Sequence, residues 1–358
     1  MNTNLGLRVF TRRTLIEHRT TSAEVLYHLE NTQSTVTIWD DTYGYLPKSS
    51  NFRFQAATYS SNKSRNLVKP MVAVTPDGMI VDVFGPDNLW KASLSDGDIL
   101  KEIMKLADFR DRFIEGDVFV IDRGFRSSVS ELQQNGFVVK IPPNVRRGQK
   151  QLATEQANEQ RECTAIRWIV EVVNRHLKCN SYLSRTLNIH AVPHLLEDTR
   201  IAAAVHNKFG KRIRAYNDTD IIAQQITSRL HLVNNLKAFI ESKGITRKTV
   251  AFNKMDGHSI PEFPELDSVS LTAMIGSYQI QLCVSYYGDH MFGETGYEIQ
   301  VGEDNRFSSA DFAEFNLTAA RPLLIRAKLT SRHSRHKVYQ AYVLCDLDKL
   351  NTESIVGY

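Results

Sequence analysis

Two short apolar runs, each closing on an aspartate, limit what this chain can fold into more than any other feature. Thr35-Val36-Thr37-Ile38-Trp39 ends at Asp40. Asp117-Val118-Phe119-Val120-Ile121 ends at Asp122 and opens Arg123-Gly124-Phe125. Runs of this length, rich in β-branched and aromatic residues, read as buried strands. Alternation along the first puts Val36, Ile38 and Asp40 on one face and Asp41 on the other. Asp40 therefore continues the buried series, and of the two it is the ligand candidate. Gly124 permits a tight turn directly after Asp122, and the carboxyl ends of strands are where α/β sheets tend to hold ligands.

A third acidic residue lies in a helical pattern. Ile166, Ile169, Val170, Val173 and Leu177 fall at i, i+3, i+4, i+7 and i+11, which is one apolar stripe. Arg167, Glu171, Asn174, Arg175 and Lys178 occupy the flank beside it, so Glu171 sits at the margin of the buried face. Taken singly, Asp40 also reads as a turn former and Glu171 as an ion-pair partner of Arg167 or Arg175. Taken together, the trio suits two-metal phosphoryl transfer. There, two divalent ions about 4 Å apart need bridging carboxylates delivered from rigid elements.

The surrounding pattern supplies a frame for them. Strand signals cover Phe52 to Tyr59, Pro70 to Thr75 and Met79 to Phe84, with Pro76-Asp77-Gly78 as a hairpin turn between the last two. Asp82, in that hairpin, is expected to face solvent. Ser95-Asp96-Gly97-Asp98 caps a helix from about Ile99 to Ala107. Ser127 to Asn135 is a helix closed by Gly136, and Phe137 to Ile141 is a strand stopped by Pro142-Pro143. Residues 144–160 read as a loop leading into the Glu171 helix, and Arg200 to Phe209 as a further helix. Hairpin strands followed by alternating β/α units imply a mixed sheet covered by helices.

The 358-residue length suits two domains. Residues 1–30 read as a basic, helix-prone lead-in (Arg12 to Leu29) that starts abruptly, as a fragment would. Residues 31–214 hold the mixed sheet, and 215–358 form a smaller α+β region. In that last region Ile221 to Lys243 reads as helix, Lys254 to Asp267 as loop, and Ser277–Tyr287, Tyr297–Val301, Leu323–Leu329 and Lys337–Leu344 as strands.

A hydrophobic fraction of 42% and a charged fraction of 23% are ordinary for a soluble protein with a sizeable core. The net charge of +4 does not by itself announce a nucleic-acid binder, but its distribution is uneven. Lys140 to Lys178 holds eight Lys/Arg against four Glu, and Asn316 to Leu344 holds six Lys/Arg and no acid. Such stretches steer polyanions or simply solvate a surface. The Ser331–Lys337 tract and the polar segment Tyr59–Lys69, with Lys63, Arg65 and Lys69, carry the same two readings. Cys163, Cys179, Cys283 and Cys345 are scattered without C-x-x-C spacing, which suits free thiols in a reducing compartment and no structural zinc. The first thirty residues carry Arg8, Arg12 and Arg13 but no long apolar core, so no signal peptide is expected. No apolar stretch of about 18 residues occurs, so no membrane span is expected either.

Several short motifs, in order, resemble one family. Trp39-Asp40-Asp41-Thr42-Tyr43 is similar to the D-G-T-[YH] motif of the DDE superfamily endonuclease domain of Harbinger-type transposases. Tyr59-Ser60-x-x-Lys63 resembles their Y-S-x-x-K, and Gly85-Pro86 with Ser95-Asp96 their G-P…S-D. Asp122-Arg123-Gly124-Phe125 resembles D-R-G-[FY]. Arg167-x-x-Val170-Glu171-x-x-Asn174-x-x-Leu177-Lys178 resembles R-x-x-V-E-x-x-N-x-x-L-K. The resemblance runs over about residues 35 to 207. It departs at Asp41, where the family has a small glycine, and no helix-turn-helix pattern precedes the region.

The resemblance implies an RNase H-like (retroviral integrase-like) fold with Asp40, Asp122 and Glu171 as the catalytic, metal-holding triad. It implies Mg²⁺ or Mn²⁺, two ions, as cofactor, DNA as partner and the nucleus as location. Lys63, Arg65, Lys69, Arg167, Arg175 and Lys178 are the candidate backbone contacts. Targeting would fall to a homo-oligomer or a separate DNA-binding partner. The alternatives are a domesticated, catalytically silent interaction scaffold and an RNase H-like nuclease acting on RNA–DNA hybrids.

Overall fold

The two runs that end on aspartate lie side by side in the structure. It is a computed structural model that describes residues 9–85, 94–145, 152–213, 219–245, 252–255, 263–290, 297–302, 307, 309–318, 322–331 and 334–357. The chain divides into two units, Met1–Leu230 and His231–Tyr358. The first opens with α1 (Arg12–Glu17), α2 (Thr21–Tyr27), β1 (Val36–Asp41), β2 (Gly44–Leu46), α3 (Phe52–Thr58), β3 (Tyr59–Ser60), β4 (Arg65–Val68), β5 (Met71–Val74) and β6 (Ile80–Phe84). There follow α4 (Asp96–Met104), α5 (Ala107–Arg112), β7 (Val118–Ile121), α6 (Val129–Gln134) and β8 (Val138–Lys140). The unit ends with α7 (Thr154–Lys178), α8 (Ser181–Ser184), α9 (Leu195–Phe209) and α10 (Thr219–Arg229).

Five strands form a sheet in the order β6-β5-β1-β7-β8. β5 runs antiparallel to both β1 and β6, whereas β7 is parallel to β1 and β8 parallel to β7. The sheet is therefore mixed. α6 provides the crossover that the parallel pair β7 and β8 requires. Both faces are covered, which explains the near-continuous apolar runs. On one face Val36, Ile38, Val118 and Val120 meet Ile166, Ile169, Val170 and Val173 of α7. On the other, Trp39, Phe119 and Ile121 meet Leu15, Ile99, Phe109 and Leu132 from α1, α4, α5 and α6. Trp39 is fully buried and stacks on Phe84 and Phe119 with ring centroids 5.5 and 5.7 Å away. A second, three-stranded sheet has the order β2-β4-β3.

The lead-in helices are tied into this core. Thr11 and Thr20 cap them, accepting from the backbone of Thr14 and Ala23. The Arg12 guanidinium forks onto both carboxylate oxygens of Asp117 at 2.8 and 2.7 Å. Asp117, whose side chain is wholly buried, also accepts from the backbone of Thr35 and Ile114.

Three expectations fail. Phe52 to Thr58 is a helix, because Asn51 caps it by accepting from Phe54 N at 3.0 Å and its apolar alternation buries no strand face: Phe52 is 84% exposed. Asp82 is buried rather than solvent-facing, since Arg200 of α9 reaches over β6 and donates to its Oδ1 at 3.0 Å. Ile221 to Lys243 is two helices, with the second capped afresh by Asn234.

The second unit holds α11 (Asn235–Ser242), β9 (Phe252–Lys254), α12 (Ser268–Ile275), α13 (Ser277–His290), β10 (Tyr297–Gly302), β11 (Leu323–Ser331), β12 (Ser334–Cys345) and β13 (Ile355–Gly357). Its strands form an antiparallel sheet in the order β13-β12-β11-β10-β9. Leu236, Phe239, Phe252, Phe312, Leu324 and Leu344 make its core. Here Ser277–Tyr287 corrects a further expectation. Its period-2 apolar pattern reads as a strand, but it is helical, following α12 across Gly276 at φ +89°. Leu282 and Val284 stay exposed, so the alternation reflects no buried sheet face. Pro86, Arg146–Lys150 and Arg332-His333, which the sequence reading used, lie outside the described residues. No described helix is long and apolar enough to cross a membrane.

Candidate active site

Register brings the two aspartates together. β1 and β7 are parallel, with Ile38 opposite Val120 and Trp39 opposite Ile121. The next residues along are Asp40 and Asp122. Ile38 and Val120 both lie against α7, so alternation sends Asp40 and Asp122 toward the same face. Glu171 is on α7, at the edge of its apolar stripe. One turn further on, Asn174 donates from Nδ2 to Asp40 Oδ2 at 3.3 Å and to the Asp41 carbonyl at 3.1 Å. One turn earlier, Arg167 is 2.7 Å from the Glu171 carboxylate.

Burial and neighbouring charge both act on Asp40. Burial pushes the Asp40 carboxyl up to about 7. The Asp41 backbone N–H and the Arg167 guanidinium oppose that rise, while the charges of Asp122 and Glu171 add to it. The charges of Asp122 and Glu171 thus both reach Asp40, from a second strand end and from a helix. Among the described residues, however, no group of three His, Cys, Asp or Glu side chains stands ready to hold a metal ion. Glu171 is turned to Arg167, and its side chain is 53% exposed. Cys163, one turn before Arg167 on α7, is buried, and burial pushes its thiol up to about 12. A neutral, buried thiol is a packing group rather than a nucleophile.

Asp41 has its own surroundings. Lys69 Nζ lies 3.8 Å from its Oδ2 and 3.0 Å from Asp96 Oδ1, and also donates to the Leu94 carbonyl. Burial raises Asp41 to about 8, Asp96 and Asp40 reinforce the rise, and Lys69 opposes it. The residue where the resembled family carries glycine is thus neutralised locally, with Lys69 and Asp96, on the opposite side of β1 from α7. Ser95 and Asp98 cap α4 as expected, but Asp96 also takes part in this cluster.

The six basic candidates separate into groups. Lys69 and Arg167 are tied to carboxylates, and Arg175 is exposed on α7. Lys63, Arg65 and Lys178 gather instead on Tyr43 and Tyr45. Tyr43 enters the sequence analysis only as the end of a motif; Tyr45, and the link from Asn174 to Asp40, do not enter it. The i, i+2 spacing of Tyr43 and Tyr45, which sets them on one side of extended backbone, was the available signal.

Comparison with known proteins places one segment. No curated protein and no solved structure matches the chain. Residues 40–207 match the family described as DDE superfamily endonuclease. The match opens on Asp40 and takes in Asp122, which directly follows β7, and Glu171 of α7. Residues 40–207 of this chain, a little under half of its length, are thus similar to the DDE superfamily endonucleases.

Proposed function

We propose that the domain is a Harbinger-type, RNase H-like DNA endonuclease and strand transferase, dependent on divalent metal and derived from a transposase. The observation that carries this reading is the setting of Asp40, which register places beside Asp122 and which is driven toward its neutral form by burial and by the charges of Asp122 and Glu171. The donor chemistry fits Mg²⁺ or Mn²⁺, which take hard carboxylate oxygens. Excess negative charge at Asp40 is what a divalent cation relieves. Asp40, Asp122 and Glu171 would hold two such ions, and these supply an activated water and stabilise the leaving oxygen.

The chain's own groups do the rest. Asn174 fixes the orientation of the Asp40 carboxylate. Arg167 holds Glu171, and that ion pair would have to open for the triad to assemble. Water oxygen attacks phosphorus, the P–O3′ bond breaks, and the 3′-oxygen departs with a proton. In a second step that 3′-hydroxyl attacks a phosphorus of another strand and gives up its proton, while the P–O3′ bond of that strand breaks and its 3′-oxygen departs with a proton. Nuclear location, and a homo-oligomer or separate partner for targeting, belong to the same proposal and rest on the resemblance to transposases alone.

Purified protein with Mn²⁺ should nick supercoiled plasmid, and Asp122→Asn should lower the rate by about 10²- to 10³-fold, the several kcal/mol a metal site supplies. Undiminished nicking by that variant refutes the triad. The Arg167–Glu171 ion pair favours a second reading, a silent scaffold that keeps the fold. Calorimetric titration with Mn²⁺ separates the two. Binding that is lost in Glu171→Gln supports the enzyme; no binding by the unaltered chain supports the scaffold.

A further inference from the structure

Tyr43 and Tyr45 stack with ring centroids 6.4 Å apart. Lys63 Nζ lies 5.0 Å from the Tyr43 ring, and the Arg65 guanidinium 4.8 Å from the Tyr45 ring. Lys178 Nζ reaches both, at 5.6 and 5.9 Å. Three elements deliver these cations. β4 carries Arg65 and pairs with β2, setting Leu67 opposite Tyr45. The tip joining β3 to β4, where Ser64 takes φ +51°, carries Lys63. Lys178 is the last residue of α7.

Among the described residues, none of the three forms an ion pair with a carboxylate, whereas Lys69 and Arg167 each do. A ring face attracts a cation without neutralising it, so the cluster is positioned yet keeps its charge. Burial lowers the Lys178 ammonium below its ordinary range. Asp41 and Asp40 pull it back and Lys63 pushes it down further, so Lys178 feels both Lys63 and the carboxylates of Asp40 and Asp41.

We propose that Tyr43 and Tyr45 hold Lys63, Arg65 and Lys178 as a clamp for the phosphates of a DNA strand lying beside Asp40, read without regard to base sequence. The inference rests on the endonuclease reading for the identity of the polyanion. The cations already lie over the rings, so the rings serve the cations rather than stacking bases. Contacts of this kind position a strand and specify nothing.

The test is fluorescence anisotropy of the full chain with labelled 20-base-pair duplexes of two unrelated sequences, in EDTA, across a sodium chloride series. Each phosphate-bound cation contributes about 0.9 to the slope of log K against log salt. Lys63→Gln with Arg65→Gln, both at exposed positions, should lower that slope by about 1.8, and adding Lys178→Gln by about 2.7 in all, equally for both sequences. Tyr45→Phe should bind as the unaltered chain does, while Tyr45→Leu should weaken binding about two- to fivefold. Circular dichroism confirms that each variant is folded. An unchanged slope in the folded double variant overturns the clamp. So does loss confined to one sequence, or competition by polyglutamate as effective as that by DNA. Because EDTA removes the cations that cleavage needs, a chain that binds with this slope but nicks nothing in Mn²⁺ refutes the nuclease and leaves the clamp standing. A chain that nicks while the variants keep the full slope refutes the clamp alone.

Discussion

At Asp40, burial and two neighbouring carboxylates act in the same direction, and this has a consequence for stability. Its carboxyl is raised from 3.8 to about 7, so between those values the folded chain binds more protons than the unfolded one. Stability of the metal-free protein is then greatest below about pH 4 for this group and falls as pH rises through about 7. At about 1.4 kcal/mol per unit, the loss is on the order of 4 kcal/mol. Asp40→Asn should flatten the decline, as read from urea midpoints in EDTA between pH 4 and 8. A slope as steep as that of the unaltered chain would show that Asp40 ionises normally. Asp41, which is also raised, chiefly by burial, contributes a decline of the same sign that the variant keeps. The face of β1 that each aspartate occupies was legible from alternation. The cage around Asp41 was not, because Lys69 and Asp96 come from other parts of the chain.

Among the elements, α1 depends on one contact more than on its own six residues. A helix that short is not stable by propensity. Arg12 anchors it to the buried Asp117, whose remaining lone pairs are taken up by Thr35 and Ile114. Arg12→Ala should cost about 3–5 kcal/mol, the penalty for leaving a buried charge unpaired. Urea denaturation measures it, and a loss under 1 kcal/mol would show that Asp117 is satisfied by the backbone alone. The same logic explains the elements that sequence patterns misassigned. Phe52–Thr58 is helical because a cap and an open environment favour it. Asp82 is buried because Arg200, more than a hundred residues later, supplies its counter-charge.

Across the whole molecule, the two units meet in sequence at Leu230 and His231. Between α10 and α11, Leu232 and Val233 are 54% and 68% exposed. Limited proteolysis should cut first between Leu230 and Asn235 and leave two resistant fragments; a first cut inside β1–β8 would contradict the division. The chain's own pattern determined the mixed sheet under its helices, the strand that ends at each aspartate, the apolar stripe of α7 and the caps of α4. These are local properties, fixed by side-chain alternation, helical period and hydrogen bonds within a turn. Only the tertiary structure decided which charges are neutralised and which are held ready. Lys69 and Arg167 are matched by carboxylates, while Lys63, Arg65 and Lys178 rest on two tyrosines. That outcome depends on burial and on partners distant along the chain. No periodicity encodes it, since a charge is compensated by whatever lies nearest in space.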